Sequence, residues 1–474
     1  MKRFLVLAAS AAAAFGQFWT GPFQLTTSDS SDINPSVCKE WVSGNMTCLV
    51  WQTNRNGNWD IYSKFCQFYN GNGWGPEIPV SRDPAHDVNP VVAACNDFSE
   101  HPSFWCAWER KDSPIVGSIW VAFYTFRDTW LTYERVGRTI NIGGDSAEPS
   151  MIVIKGSTRD TAWVIWRNQD TSGSSFISYC YHDGDSWSEP GVIAASSVEM
   201  RHARLGRGCG SRNQWHPYPV VTWEQQGDIY YSEYLNGAWS SPAQVAPSPA
   251  LDLNPDVVSS QGWLAPYGWI VWQSDRDGDT AVFGTRCDTF SLCDRWCDRV
   301  NAGSNWTPAA SPAAFTTDEP PWDVMPAWVS DRRGNPDIYS TWSGHDVPVD
   351  TSSAVDLCPT VTVMGMTQVW CCWQSNRSGN WDIFGSYIYA VGVEESRQLT
   401  ANSPRPNAAI VRGVLFLPEA VSGERSAVGG CLRDISGRKV MELHPGPNDL
   451  SRLAPGVYFI QQDSGAQRRA VVLR

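Results

Sequence analysis

Along nearly the whole chain, short apolar runs alternate with breaks rich in Gly, Asn, Asp and Pro, and long amphipathic helical patterns are hard to find. The pattern predicts an all-β chain. Its clearest element is Trp51 to Tyr62, WQTNRNGNWDIY, in which two apolar strand segments flank an Asn-Gly break. A near copy, WQSNRSGNWDIF, runs from Trp373 to Phe384, and two more, WQSDRDGDTAVF and WVSDRRGNPDIY, begin at Trp272 and Trp328. Gly holds the same offset in all four, where a tight turn needs positive backbone φ. Each stretch therefore predicts a β-hairpin.

Looser copies begin at Trp108, Trp166 and Trp223, so that seven anchoring tryptophans recur along the chain, roughly 45 to 58 residues apart. Ahead of each anchor lies a Pro, often behind an acidic or amide residue: Asn34-Pro35, Asn89-Pro90, Glu148-Pro149 and Asn254-Pro255, with Pro217, Pro326 and Pro359 in looser versions. After each hairpin a strand ends near Trp and Pro, as in NGNGWGPEIPVS. The unit reads as four antiparallel strands. One such sheet cannot bury both faces alone, so copies must stack, with aromatic side chains filling the space between sheets. Radial stacking of four-stranded units predicts a seven-bladed β-propeller over residues 17–401. The segment Trp19 to Pro22 resembles the blade-ending Trp74 to Pro76, which predicts that the first strand of the chain completes the seventh blade.

Composition sharpens this picture. With 26 Trp, 39 Gly and 31 Pro and only 18% charged residues, the chain suits aromatic strands joined by tight turns. At 474 residues it has room for a large repetitive domain and a smaller one. A net charge of −13 offers no basic stripe for phosphate backbones, so nucleic acid is not the expected partner. Residues 1–16 read as a secretory signal, Lys2 and Arg3 preceding an apolar run too short to span a bilayer. A secreted or cell-surface location follows as the expectation. Fourteen Cys in an exported chain favour disulfides, with Cys38 and Cys48, and Cys95 and Cys106, on neighbouring strand patterns. Cys287, Cys293 and Cys297 have no standard zinc spacing.

The stretch Ser330 to Tyr339, SDRRGNPDIY, resembles the TolB-type, WD40-like propeller repeat, and the similarity extends over about residues 30–400. That resemblance implies a binding platform, often periplasmic or surface-located, with no fixed chemistry. Several copies are also similar to the Asp-box turn of sialidases, a structural turn in those families. Beyond Asn402 the character changes, and no Trp follows Trp381. Asp434 to Arg438, Leu450 to Tyr458 and the pair Arg468-Arg469 resemble the C-terminal domain of proteins exported by the type IX secretion route, an immunoglobulin-like sandwich similar to the FlgD module. The resemblance implies a sorting or attachment sandwich over residues 402–474, with secretion machinery as its partner. The alternative is an ordinary structural sandwich.

Candidate chemistry is sparse. A polar residue follows the anchor in six blades: Gln52, Glu109, Arg167, Glu224, Gln273 and Gln374. Equivalent blades would place these six in a ring at one depth. The ring reads as a binding surface or, more simply, as polar groups bonded to the neighbouring blade. Glu109 and Glu224 are the pair that a glycoside hydrolase would use as acid and base. Trp59 and Trp381, beside their turns, are candidate aromatic contacts for a sugar, against packing between blades. Arg55, Arg276, Arg332 and Arg377 are expected to pair with acids of their own turns, Asp60, Asp279, Asp337 and Asp382. Asp275, Asp277 and Asp279 mimic a calcium loop but lack its distal Glu. No metal and no cofactor is implied. The sequence thus predicts an exported, non-catalytic propeller that binds a glycan, a peptide or a surface partner, with a sialidase-like glycoside hydrolase as the alternative.

Overall fold

In the computed structural model, two units are described over residues 19–39, 46–67, 73–96, 102–113, 116–125, 129–136, 145–154, 160–209, 217–259, 268–286, 294–295, 305–312, 324–342, 345–364, 368–389, 408–412, 414–417, 430–433, 438–444, 446–449, 453, 456–462 and 467–473. No described residue is helical. The first unit, Met1–Gly392, is a seven-bladed β-propeller; the second is Val393–Arg474. The expected limits at residues 16 and 401 fall outside the described residues.

The chain opens with β1 (Thr20–Gln24). Blade 1 is β2 (Asp32–Lys39), β3 (Met46–Thr53), β4 (Asp60–Gln67) and β5 (Ile78–Pro79); blade 2 is β6 (His86–Asn96), β7 (Pro102–Ser113), β8 (Val116–Thr125) and β9 (Thr129–Val136). Blade 3 is β10 (Asp145–Ile154), β11 (Thr161–Gln169), β12 (Ser175–His182) and β13 (Gly191–Ser196). In blade 4, β14 (Met200–Cys209), β15 (Pro217–Gln225) and β16 (Asp228–Leu235) end on two short pieces, β17 (Ala238–Trp239) and β18 (Ala243–Gln244). Blade 5 is β19 (Asp252–Ser259), β20 (Gly268–Ser274), β21 (Ala281–Arg286) and β22 (Asp294–Arg295); blade 6 is β23 (Asn305–Pro312), β24 (Val324–Ser330), β25 (Asp337–Trp342) and β26 (His345–Asp350). Blade 7 is β27 (Asp356–Met364), β28 (Gln368–Ser375) and β29 (Asp382–Tyr389), completed by β1. The first strands neighbour one another in a closed circle from β2 round to β27 and back to β2.

All seven anchoring tryptophans lie on second strands and are buried, at 0–2% exposure. They belong to clusters that straddle blade junctions, as where Met46, Val50 and Ile61 of blade 1 meet Phe104, Trp108 and Tyr124 of blade 2. At the periphery the blade-ending Trp of one blade meets, edge to face, a Trp three residues before the anchor of the previous one: Trp187 with Trp105 (5.3 Å, 79°), Trp239 with Trp163 (6.0 Å, 88°) and Trp74 with Trp370 (5.7 Å, 83°). Such pairs add to the stability that apolar burial supplies at each junction.

The repeated turn has three jobs. Gly57, Gly278, Gly334 and Gly379 supply positive φ at its tip. The Arg then folds back over its own blade. Its Nε donates to the hydroxyl that ends the second strand, at 3.0 Å from Arg55 to Thr53 and from Arg276 to Ser274, and 2.9 Å from Arg377 to Ser375. Its guanidinium lies over the aromatic of the third strand, Tyr62, Phe283, Tyr339 or Phe384, at 4.1–5.0 Å. The ion pairs correct the expectation. Arg55 reaches Asp32 and Glu77, Arg276 reaches Asp252, Arg332 reaches Asp346, and Arg377 reaches Asp350 and Asp356. Folding back over the sheet carries the guanidinium away from the turn, toward acids at strand ends. The third job belongs to the Asn after the Gly, whose amide donates to two carbonyls of the loop leading into the next first strand. Asn58 holds Asp83 and Ala85 (both 2.8 Å), Asn335 holds Ser352 and Ala354 (3.0 and 2.7 Å), and Asn380 holds Ser28 and Ser30 (both 2.8 Å).

The acid two residues beyond that Asn is buried. Asp60 and Asp382 each accept several side-chain donors, whereas Asp337 accepts from Asn335 (3.0 Å) and its Oδ2 has no hydrogen-bond partner. Burial raises the Asp337 carboxyl to about 6. The folded protein therefore holds this proton more tightly than the unfolded chain, so Asp337 costs stability above about pH 6 and the cost fades toward about pH 4. Asp337→Asn is expected to stabilise the protein by about 2 kcal/mol near neutral pH and to bring no gain near pH 4. Denaturant midpoints at both pH values check this; a gain independent of pH contradicts it.

Every first strand carries the same irregularity. Its register against the second strand slips by one residue, between Ile33 and Ser36 in blade 1, Val88 and Val91, Ala147 and Ser150, Arg201 and Arg204, Leu253 and Asp256, Trp306 and Ala309, and Leu357 and Thr360. The first bulged residue has positive φ at Asn34, Asn89, Glu148, His202, Asn254 and Cys358. Pro follows in six blades, since a bulge tolerates a missing N–H. Two expected members are thereby corrected. Pro217 and Pro326 sit on second strands, and the true counterparts are His202-Ala203 and Thr307-Pro308. The bulge is what recurs, and Ala203 serves it in blade 4.

Cys38 and Cys48 stand directly opposite each other as free thiols. Cys95 and Cys106 do not, because Cys95 faces Ser103 and Cys106 faces Val92. Cys287, Cys293 and Cys297 lie outside the described residues. In the second unit, β30 (Ala408–Arg412), β32 (Gly430–Arg433), β33 (Lys439–Leu443), β35 (Gly456–Gln462) and β36 (Gln467–Leu473) form one sheet, while β31 (Val414–Leu417) pairs with β34 (Gly446–Asp449).

Candidate functional site

The residue after each anchor lies opposite the residue just before the bulge, so both meet at the innermost edge of the blade, at the end that carries the repeated turns. The structure brings Gln52, Glu109, Arg167, Glu224, Gln273 and Gln374 together with the bulged residues into one polar collar. Blade 6 contributes Val329.

Acceptors of the collar bind across the blade junctions. Gln374 Oε1 accepts the Asn34 backbone N–H (2.9 Å), Gln52 Oε1 that of Asn89 (2.8 Å) and Glu224 Oε2 that of Asn254 (3.3 Å). Arg167 has no acceptor to offer. Glu148, in the bulge of the same blade, takes over and accepts the His202 N–H (2.6 Å). Within blades, Asn34, Asn89 and Asn254 donate their amides to Gln52, Glu109 and Gln273 (3.0, 3.0 and 2.7 Å). His202 Nδ1 lies 3.0 Å from Glu224 Oε2, and Arg167 Nε 3.6 Å from Glu148 Oε1. Asn34 donates to Asn89 (3.1 Å) and Cys358 Sγ to Asn34 (3.8 Å), continuing the collar from blade 7 to blade 2.

Charge is unevenly spread around this collar. Blades 5, 7 and 1 show amides and a thiol, while blades 2 to 4 gather Glu109, Glu148, Arg167, His202 and Glu224, with Lys111 paired to Glu109 and 3.5 Å from Asp145. Of these side chains His202 is the most open, at 39% exposure, followed by Lys111 at 31%, with Asp145 and Glu148 close behind at 28% and 27%; Glu109 is buried. Glu109 and Glu224, the suggested acid and base, are both already engaged, by Asn89 and Lys111 and by His202 and Asn254.

Trp59 and Trp381 are not in the collar. Both are half-buried beside their turns, where their carbonyls accept the N–H of Asp87 (2.8 Å) and Asp32 (2.7 Å) at the next first strand. Asp275 Oδ1 accepts the Leu251 N–H (2.8 Å), and among the described residues no three His, Cys, Asp or Glu side chains gather as a metal site requires. Sequence reasoning missed the bulged residues as part of the site, His202 and Glu148 above all. The signal was present as an Asn or Glu ahead of Pro, whose side chain a left-handed bulge turns inward with the collar.

No protein-family description matches the chain, and no curated protein is similar to it. Among solved structures the chain is similar to a protein of unknown function from Dyadobacter fermentans DSM 18053, at 11% identity and TM-score 0.46 over 78% of this chain and 99% of that one. It is also similar to a mutant of Trypanosoma rangeli sialidase displaying trans-sialidase activity (9%, TM-score 0.45, 81% and 58%) and to a mutant of Aleuria aurantia lectin in complex with α-methyl-L-fucoside (12%, TM-score 0.40, 68% and 97%).

Proposed function

We propose that the propeller is an exported, non-catalytic binding module whose ligand, a glycan, a peptide or a surface partner, meets the collar at its charged arc in blades 3 and 4. One observation carries this reading: most of the collar's acceptors are spent on holding blades together, and His202 is the side chain left most open, with Lys111, Asp145 and Glu148 next to it in exposure along the same arc. The paired state of Glu109 and Glu224 supports binding over acid–base hydrolysis. The apolar leader supports export, and the resemblance of residues 402–474 supports a sorting or attachment role that engages secretion machinery. Arrays of glycans and peptides probed with the full chain test the reading. Binding that falls about tenfold in His202→Ala or Glu148→Gln is expected, the scale of one lost hydrogen bond to a charged group. Hydrolysis of model glycosides that disappears in Glu224→Gln replaces this reading with a glycoside hydrolase.

A further inference from the structure

Away from the collar, blade 1 carries an open cleft of about 510 Å³ lined by Asn56, Asn58, Asp60, Tyr62, Arg82, Asp83 and Pro84. That volume lies within the range of small-molecule sites. We propose that this cleft is a separate binding site for a neutral saccharide that presents two adjacent hydroxyls, a proposal that goes beyond the collar and does not depend on it.

The walls are fixed before any ligand arrives. Asn58 clamps the Asp83 and Ala85 carbonyls, Asp83 Oδ1 accepts the Ala85 N–H (3.0 Å), and the Asp83 carboxylate pairs with Arg110 of blade 2. On the floor, Asp60 is buried and accepts Asn56 (2.8 Å) and Asn58 (3.4 Å), and Asn56 also reaches the Tyr62 hydroxyl (3.4 Å). With the amide N–H groups turned to these partners, the carbonyl oxygens of Asn56 and Asn58 remain as acceptors. Arg82 stands exposed at the rim with no ion pair among the described residues.

Comparison with the two other Asn clamps separates what the fold needs from what it does not. The loops held by Asn335 and Asn380 have Thr351 and Thr27 where this one has Arg82. Asn56 is replaced by Arg333 and Ser378, and blade 7 has Phe384 for Tyr62. The clamp works in all three, so the guanidinium, the free amide oxygen and the phenol together are peculiar to blade 1. Charge then decides the ligand class. Arg82 balances the floor carboxylate of Asp60 and Arg110 neutralises Asp83, so the lining has no net charge with which to offset the desolvation cost of a uronate or that of an amino sugar. A neutral ring avoids both and can accept from Arg82 while donating to the Asn oxygens.

Saturation-transfer NMR on the full chain, with methyl glycosides of neutral hexoses, glucuronic acid and glucosamine as probes, tests this. Neutral hexosides are expected to bind in preference to the charged sugars, and Arg82→Ala to weaken them about tenfold with an unchanged melting point. The proposal is overturned if no neutral hexoside binds, if charged sugars bind as well, or if Arg82→Ala leaves affinity intact. Hexoside binding lost in His202→Ala and kept in Arg82→Ala moves the sugar to the collar, which sinks the cleft and leaves the collar reading standing.

Discussion

Deleting residues 17–30 lowers stability by on the order of 5 kcal/mol or more, the sum of one buried Leu and several hydrogen bonds. Strand β1 is exposed along its length, yet it joins residues 20–24 to the seventh blade. Its pairing with β29 continues as Leu25 N–H donates to Ile383 (2.8 Å), Ile383 N–H to Thr26 Oγ1 (2.9 Å) and Thr26 Oγ1 to Asp382 (3.2 Å). Leu25 is buried with Trp51, Tyr62 and Ile383 between blades 7 and 1. The fit is close: a Cβ on Gly385 would lie 2.8 Å from Leu25 Cδ1. Without the segment, β29 becomes a bare edge and the Asn380 clamp loses both its carbonyls. Thermal melting of the truncated chain is the check, and an unchanged midpoint refutes the clasp.

Arg377→Met is expected to cost about 3–5 kcal/mol near neutral pH, the range for breaking a buried ion pair from one side. Arg377 donates to both oxygens of Asp356 at 3.0 Å and pairs with Asp350 as well. Burial already raises the Asp356 carboxyl, and the Ser375 hydroxyl and Arg377 pull against that rise. Removing the guanidinium strands two carboxylates beneath the turn. Protonation relieves them, so the cost must shrink as pH falls toward about 4. Denaturant midpoints of wild type and variant across that range decide it; an equal cost at every pH means that Arg377 acts through its packing over Phe384.

Much of this was legible in the chain because burial imposes periodicity. Trp51 and its six counterparts recur at blade spacing because each fills the same slot, and the Asn-Gly turns recur because only a few residues tolerate their backbone. The ring of Gln52, Glu109 and Gln374 was legible for the same reason, one step beyond a buried anchor. What stayed hidden lies between repeats. Arg55 was expected to meet Asp60, five residues on, but its partner Asp32 arrives through the sheet register. Asn58 looked like a turn former, and only the position of the next loop reveals it as a clamp. His202 escaped notice because Ala203 removed the Pro that marks its bulge elsewhere.

The clasp also dictates when the disc can be finished. Gln24 bonds Asp382 across a separation of 358 residues, whereas each repeated hairpin closes over a handful. Closing so long a loop costs more chain entropy than closing a hairpin, so the blades can form as an open arc before β1 finds its partner. Completion is a late event, and until it occurs the arc's two ends are the sites at which neighbouring unfinished chains can join one another.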